Sequence, residues 1–478
     1  MKEGYIPKEQ RKNILLLTDD IRFPSGVGHI GKEIVLNSAH HYNWVNLGGA
    51  MKHPDEGKRI DISGDANQLH GIEDASIIIQ PNSGYGDADK VRALIKEFSI
   101  DAIFLITDPR YFTWLFQIEN EIRKTMPIVY LNIWDDYPAP AYNSAFYESC
   151  DALFGISKQT VNINKIILGD KAEGKIIKYV PHGLNHNIFK PISEKSSDYK
   201  NFKDFKNQIT KTDPEFVLFY NSRNIRRKQV ADTLLAWKYF IDQLPKEKQD
   251  KVKFVLHTEI VSDHGTDLMA VKDYLFGEDY EGILFSTNKI IPIQLNYLYN
   301  IADAQILLTS NEGWGLSLTE ALLAGTPIIA NVTGGMQDQM RFVDENRNWF
   351  TPTPQLPSNH TEKYKEHGEW AFPVFPTNRS LQGSPQTPYI WDDRCKPEDA
   401  AMQIEKLYNM TREERKALGL KGREWAIGEE AGFTAEIMTQ RVIEGINQTL
   451  KEFTPRKNYE FVNANEFKKP TVQHNLIY

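Results

Sequence analysis

Cysteine is almost absent: Cys150 and Cys395 are the only two in 478 residues. Two thiols build neither a disulfide scaffold nor a cysteine-rich zinc site, and they fit a reducing compartment. Long apolar runs are missing too. No stretch nears the roughly 18 apolar residues of a spanning helix. Residues 1–12 are polar, and the run Ile14–Leu17 is far too short for a signal or an anchor. The expected place is the cytoplasm, with contact at a membrane surface left open. Basic charge is not in excess either. A formal charge of -8 excludes a broadly basic nucleic-acid binder, though not a local basic groove. What is present is ordinary globular composition, 25% charged and 41% hydrophobic, which is neither disordered nor membranous. The length allows about two to three domains.

Short apolar runs bounded by charge read as buried parallel strands. In the first part of the chain they fall at Asn13–Thr18, Trp44–Leu47, Ser76–Gln80, Ala102–Thr107, Ile128–Ile133 and Ala152–Ile156, with helical patterns at Lys90–Phe98 and Tyr111–Arg123. Residues 193–213 are polar and read as a linker with one exposed helix. The alternation then restarts. Strands are expected at Glu215–Tyr220, Lys253–His257, Gly282–Phe285, Ala304–Thr309 and Pro327–Ala330, and helices at Val230–Leu244 and Gln294–Ala302. Such alternation predicts an α/β chain of two doubly wound parallel-sheet domains. The expected division is 1–192, linker 193–213, 214–430, and a final helix and tail over 431–478. The segment 342–395 is rich in proline and aromatics. Loops that long are uncommon unless functional or disordered, and Trp370, Phe372, Phe375, Tyr389 and Trp391 argue for order.

Residues Gly26–Gly31 spell G-x-G-x-x-G. A dinucleotide site needs a tight strand-to-helix turn and an acid at the end of the second strand. Here Asp19–Ser25 intervenes, and the second strand ends in Asn46-Leu47-Gly48-Gly49. The remaining reading makes Gly26 and Gly28 part of a glycine loop at a helix N-terminus, facing an anion; an ordinary glycine turn is the alternative.

The segment Ser310–Gly335 carries the densest chemistry. A strand ends at Thr309, a loop holds Glu312, Gly313 and Gly315, and Ser317-Leu318-Thr319-Glu320 reads as a capping box that opens a helix. Both glutamates then lie at the C-terminal edge of the sheet, where ligands bind in open α/β folds. Free backbone N–H groups over Gly315, Leu316 and Ser317 suit phosphate, and carboxylates suit hydroxyls. Ser317 and Thr319 join the expected substrate-binding set; for Glu320 alone, a purely capping role is the competing reading. A second edge loop, Tyr220–Lys228, brings Arg223 and Lys228 to the same side, where fixed cations neutralise a diphosphate. Arg226 and Arg227 read as solvated surface, with a polyanion-binding patch as the alternative.

Glu312 and Glu320, with seven residues between them inside EGWGLSLTEALLAGTP and followed by Gly334-Gly335, resemble the signature of retaining glycosyltransferases of the GT-B fold, the family called glycosyl transferases group 1. The resemblance covers most of residues 13–450. It implies two Rossmann-like domains facing a cleft, with a nucleotide-diphosphate sugar as donor and no other cofactor. It places Arg223, Lys228 and the N–H groups of Gly315 and Leu316 on the diphosphate, Glu320 on the ribose and Glu312 on sugar hydroxyls. Segments Val180–Asn185 and Phe189–Pro191 look like the family's hinge, and the last helix is expected to return to the first domain. Two departures stand out. Many members carry a histidine near the end of the fourth or fifth strand, where this chain has Trp134-Asp135-Asp136-Tyr137. Asp135 and Asp136 are therefore catalytic candidates, with an acidic turn as the alternative; His182, His29 and His186 are candidate cleft histidines. The extra sequence at 342–395 is expected to be an acceptor-side arm or lid, with a decorative surface insertion as the alternative. No metal is implied, because Asp87-Ala88-Asp89 reads as a helix cap. The acceptor stays open among glycan, lipid, protein or small molecule. Glycosylation of modified DNA bases, a sugar-nucleotide epimerase and a non-catalytic nucleotide binder are the alternatives. Residues 1–190 hold 21 basic against 24 acidic side chains, so no stable nucleic-acid binding is expected.

Overall fold

Ile14, Leu15, Leu16 and Leu17 are all fully buried, because both faces of their strand are covered, and the sequence shows this as an unbroken apolar run. The computed structural model describes residues 4–457. The first sheet comprises β1 (Lys12–Asp19), β2 (Tyr42–Ala50), β3 (Ile60–Asp61), β4 (Ile77–Ser83), β5 (Ala102–Ile106), β6 (Ile128–Asn132), β7 (Ala152–Gly155) and β8 (Ile176–Tyr179), in the order β3-β4-β2-β1-β5-β6-β7-β8. Every pair is parallel except β3 with β4. The second sheet comprises β9 (Phe216–Asn221), β10 (Val252–His257), β11 (Ile283–Ser286), β12 (Ala304–Leu307), β13 (Ile328–Asn331) and β14 (Ala371–Val374), in the order β11-β10-β9-β12-β13-β14, all parallel. This is the two-domain α/β architecture of the GT-B fold.

Some elements differ from their sequence reading. Tyr111–Arg123 is not one helix: a 3-10 turn at Pro109–Phe112 leads into Thr113–Gln117 and Glu119–Ile122. β3 and β8 escape the pattern, the first because it has two residues and the second because all four are only half-buried. The polar stretch at 193–213 carries helix Tyr199–Thr210, whose Phe202 and Phe205 pack edge-on against Tyr297. The helix Ala435–Glu452 lies on the first domain. Its Gly445 abuts the Phe154 ring, and the Tyr42 hydroxyl donates to the Ile443 carbonyl at 3.2 Å.

The segment 342–395 is ordered structure. It supplies β14 to the second sheet and then a two-stranded antiparallel hairpin, β15 (Pro376–Gln382) with β16 (Ile390–Cys395). The hairpin reaches across to the first domain. The Trp391 N–H donates to the Tyr137 carbonyl at 2.7 Å, the Tyr142 hydroxyl donates to the Tyr389 carbonyl at 3.1 Å, and the Ala141 N–H donates to the Tyr389 hydroxyl at 3.1 Å.

Candidate functional site

The C-terminal ends of both sheets face a shared cleft of about 940 Å³. On the second domain its wall is built from the ends of β9, β10, β11 and β12. After β9 the chain turns through Asn221–Ile225 into a 3-10 turn, Arg226–Lys228. After β12 it runs through Asn311–Gly315 into helix α1 (Leu316–Ala324). After β11 it continues as Ser286–Lys289 along the rim.

The glutamate loop depends on two glycines. Gly315 sits at φ +88 and Gly334 at φ +51, a region that L side chains rarely adopt. A β-carbon on Gly334 would stand 1.9 Å from the Glu312 carbonyl oxygen. That close nesting, together with the Gly335 N–H donating to the same carbonyl at 3.0 Å, fixes the Glu312 backbone.

The Glu312 carboxylate then meets two cations. It pairs with Lys228 Nζ, and with Arg227 Nη1 at 2.9 Å; the same Arg227 nitrogen donates to the Asn311 carbonyl at 2.7 Å. Burial favours the neutral acid, but Arg227 and Lys228 override it and hold Glu312 at about 2. Burial pushes the Lys228 ammonium down, with Glu312 opposing. Arg227 is therefore part of the site, not solvated surface. A 3-10 turn spaces successive residues by about a third of a turn, so Arg226 is left exposed while Arg227 and Lys228 turn inward. Arg223 also lines the cleft, with its side chain exposed.

Glu320 lies across the cleft wall from this cluster. Its Oε2 accepts from the Tyr299 hydroxyl at 2.5 Å and from Asn221 Nδ2 at 3.1 Å. Burial raises it to about 7, against those two donors. The expected capping box does not form. The helix starts at Leu316 with Gly315 as its cap and no side-chain cap bond, so Glu320 falls in the second turn and is free for the cleft. Gly315, Leu316 and Ser317 line the cleft; Thr319 does not. Thr319 is fully buried, accepting from Trp314 Nε1 and donating to Gln339 Oε1, both at 2.9 Å.

The first domain contributes Asp19, Gly26, Asp135 and His182 to the opposite wall. Gly26 opens helix Gly26–Ser38, and its α-carbon faces Leu316 across the gap. Gly28 does not reach the cleft: its N–H donates to the capping Ser25 hydroxyl at 3.0 Å. Asp135 accepts from the Gly313 N–H at 2.9 Å, which joins the two domains beside Glu312. Burial raises its carboxyl group, with Arg227 opposing. Burial and nearby His29 push His182 down to about 3, so its ring is neutral.

Asp136 points the other way. It is fully buried, accepting from Gln159 Nε2 at 2.6 Å and the Tyr137 N–H at 2.8 Å, with Thr333 Oγ1 at 3.1 Å. Thr333 Oγ1 also lies 2.9 Å from Asp393 of the hairpin. One hydroxyl donates a single proton, so two carboxylates facing it are satisfied together only when one of them is protonated. Burial, and Asp393 beside it, raise Asp136 well above the usual range. Asp136 is thus a neutral tie between domain and hairpin, away from the main cleft. Asp87 caps a helix by accepting from the Lys90 N–H.

Sequence reading missed Arg227, Asn221, Tyr299, Asp19 and the rim at His257 and Ser286–Lys289. Asp19 ends β1 and faces the cleft, accepting from the Ser25 hydroxyl at 2.5 Å and the Tyr85 hydroxyl at 2.9 Å. Its position at a strand end was the available signal.

Residues 201–356 match the family model described as "Glycosyl transferases group 1". The chain is similar to alpha-monoglucosyldiacylglycerol synthase of Streptococcus pneumoniae, 30% identical over 132 residues, a stretch that spans 28% of either protein. Sucrose-phosphate synthase from Thermosynechococcus elongatus superposes with a TM-score of 0.63 at 15% identity, over 92% of this chain and 100% of that one. HepE of Anabaena, solved with UDP and glucose, gives 0.62 at 14% identity, again over 92% and 100%. Likeness at such identities establishes the fold.

Proposed function

We propose, from the match of residues 201–356 to the glycosyl transferases group 1 model and from the GT-B fold, that this protein moves a sugar from a nucleotide-diphosphate donor to an acceptor hydroxyl. The observation that carries the reading is the pairing of Glu312 with Lys228 and Arg227 beside the helix start at Gly315–Leu316. That is a preorganised cationic pocket at a sheet edge, facing a second domain.

In this reading Glu320 holds the ribose, and Glu312 holds sugar hydroxyls. Arg223, Lys228 and the N–H groups of Gly315 and Leu316 hold the diphosphate, with Arg227 shared between Glu312 and the leaving group. As the glycosidic bond lengthens, negative charge grows on the diphosphate. Fixed cations in a desolvated site stabilise that charge without reorganising. The acceptor attacks from the face the diphosphate leaves, through an oxocarbenium-like state, so the anomeric configuration is retained. The side-chain cations provide the neutralisation, and transfer is proposed to run without a divalent ion; activity unchanged by EDTA is the expected result. HepE carries UDP and glucose, which makes a uridine diphosphate hexose the first donor to try. Among the described residues no helix is long and apolar enough to cross a membrane, and a cytoplasmic place is proposed.

The test is acceptor-dependent release of nucleoside diphosphate. Release that rises with added acceptor supports transfer. Isomerised nucleotide sugar without release points to an epimerase, and tight donor binding with neither points to a non-catalytic binder. Release that rises only with duplex DNA carrying modified bases moves the acceptor to DNA.

A further inference from the structure

Beside the main cleft lies a second cavity of about 160 Å³, walled by both domains. Asp108 and Arg110, after β5, and Trp134 and Asp135, after β6, line it from the first domain; Thr387 and Ile390 of the hairpin line it from the other side. Asp135 lines both cavities, so a group held in the small one meets the main cleft at that carboxyl.

The hairpin is fastened over this cavity by an arginine that is itself held in place. Arg110 lies over the Trp134 ring at 5.7 Å, and its Nε donates to Asp108 Oδ1 at 2.8 Å. Its Nη1 donates to Thr387 Oγ1 at 2.8 Å and to the Gln386 carbonyl. The Tyr142 and Tyr389 rings close the contact edge-on at 4.9 Å. Without β15 and β16 the cavity has no roof.

The lining chemistry narrows the occupant. An acyl chain would lay hydrocarbon against the Asp108 and Asp135 carboxylates and strip their water without replacing it, which costs free energy. An anion would face Asp108 and Asp135 with Arg110 already neutralised. A neutral ring carrying hydroxyls suits the site: its C–H groups meet the apolar wall of Ile133 and Ile390, and its hydroxyls reach the oxygens of Asp108 and Asp135.

We propose that this hairpin-roofed cavity is the acceptor subsite, and that it takes one neutral monosaccharide unit whose attacking hydroxyl faces Asp135. The proposal rests on the transferase reading and adds the acceptor class to it. It gives the hairpin a job, specificity for a carbohydrate acceptor, and makes Thr387, Ile390 and Arg110 its specificity determinants.

The experiment is saturation-transfer NMR on the full chain with UDP present, using methyl glycosides of glucose, galactose, mannose and N-acetylglucosamine as probes. Ile390→Trp fills the cavity. Should it melt early, Thr387→Arg on the half-buried hairpin tip blocks the same space. A thermal shift by UDP-glucose is run on each protein. The expected result is saturation of at least one glycoside by the wild type, reduced at least fivefold in the blocked variant, with the UDP-glucose shift retained in both. Saturation unchanged by the block overturns the proposal. So does a wild type that binds UDP-glucose and saturates none of the glycosides. A wild type whose midpoint is raised by no nucleoside diphosphate sugar overturns the underlying donor reading instead, which separates the two failures.

Discussion

Glu312→Gln separates the charge of this carboxylate from its shape. Removing one partner of a fully buried pair costs about 3–5 kcal/mol. Arg227 is about a third exposed, and glutamine keeps one acceptor oxygen, so the expected loss is about 2 kcal/mol, a drop of several degrees in melting midpoint. The pH dependence has a definite sign. Glu312 is depressed to about 2 in the fold, so its contribution is fully present above the unfolded carboxylate pKa. The wild-type advantage over the variant should shrink as pH falls through about 4 toward 2. The effect on nucleotide runs the other way. A carboxylate about 6 Å from a phosphate charge repels it by roughly 3 kcal/mol at an effective dielectric near 20, and screening reduces that. With the repulsion gone and two cations freed, UDP should bind about tenfold tighter by calorimetry, while transfer falls by about a hundredfold or more. Tighter UDP with lost turnover marks a carboxylate that acts on the sugar beside a diphosphate. Weaker UDP with near-normal turnover would refute that placement.

Two further predictions concern the other acids. Glu320 sits at about 7 because of burial, in spite of its Tyr299 and Asn221 donors, so its folded form resists ionisation. Stability should decline as pH rises from about 4.5 to 7, and Glu320→Gln should remove that decline; donor affinity should improve above about pH 7 in the wild type and stay flat in the variant. Asp136 is also held neutral by burial, so Asp136→Asn should melt at or above the wild type at pH 8 and change transfer by less than about threefold. A hundredfold loss of transfer in a stable Asp136→Asn protein would return Asp136 to the catalytic set.

The parallel strands were readable because sheets covered on both faces demand unbroken apolar runs, as in Ile14–Leu17 and Phe216–Tyr220. β8 was not, since its residues are half-buried and carry no such signal. The glutamate pair was readable because one short loop and one helix turn bring it together in the chain itself. Neighbouring residues were harder to sort. Asp135 and Asp136 follow a strand end and point to opposite sides, one to the cleft and one to the hairpin tie. Arg226 and Arg227 diverge on a 3-10 turn, and Thr319 turns inward because the helix begins one residue before the expected box. Each of these depends on the phase at which an element starts, which composition and spacing leave free. That 342–395 forms an arm toward the first domain, the expected acceptor side, was readable, but its hairpin form and its partners, Tyr137, Tyr142 and Arg110, were not, because they lie some 250 residues earlier.

A thermal-shift screen of nucleoside diphosphate sugars on the wild-type chain tests the donor site most directly. Ligand that binds only the folded state raises its melting point with concentration. At least one nucleoside diphosphate sugar should raise the midpoint by several degrees, with the matching nucleoside monophosphate far weaker, because the proposed site sets Lys228, Arg223 and Arg227 against both phosphates. No shift with any diphosphate sugar, or equal shifts with the monophosphate, would contradict the assignment.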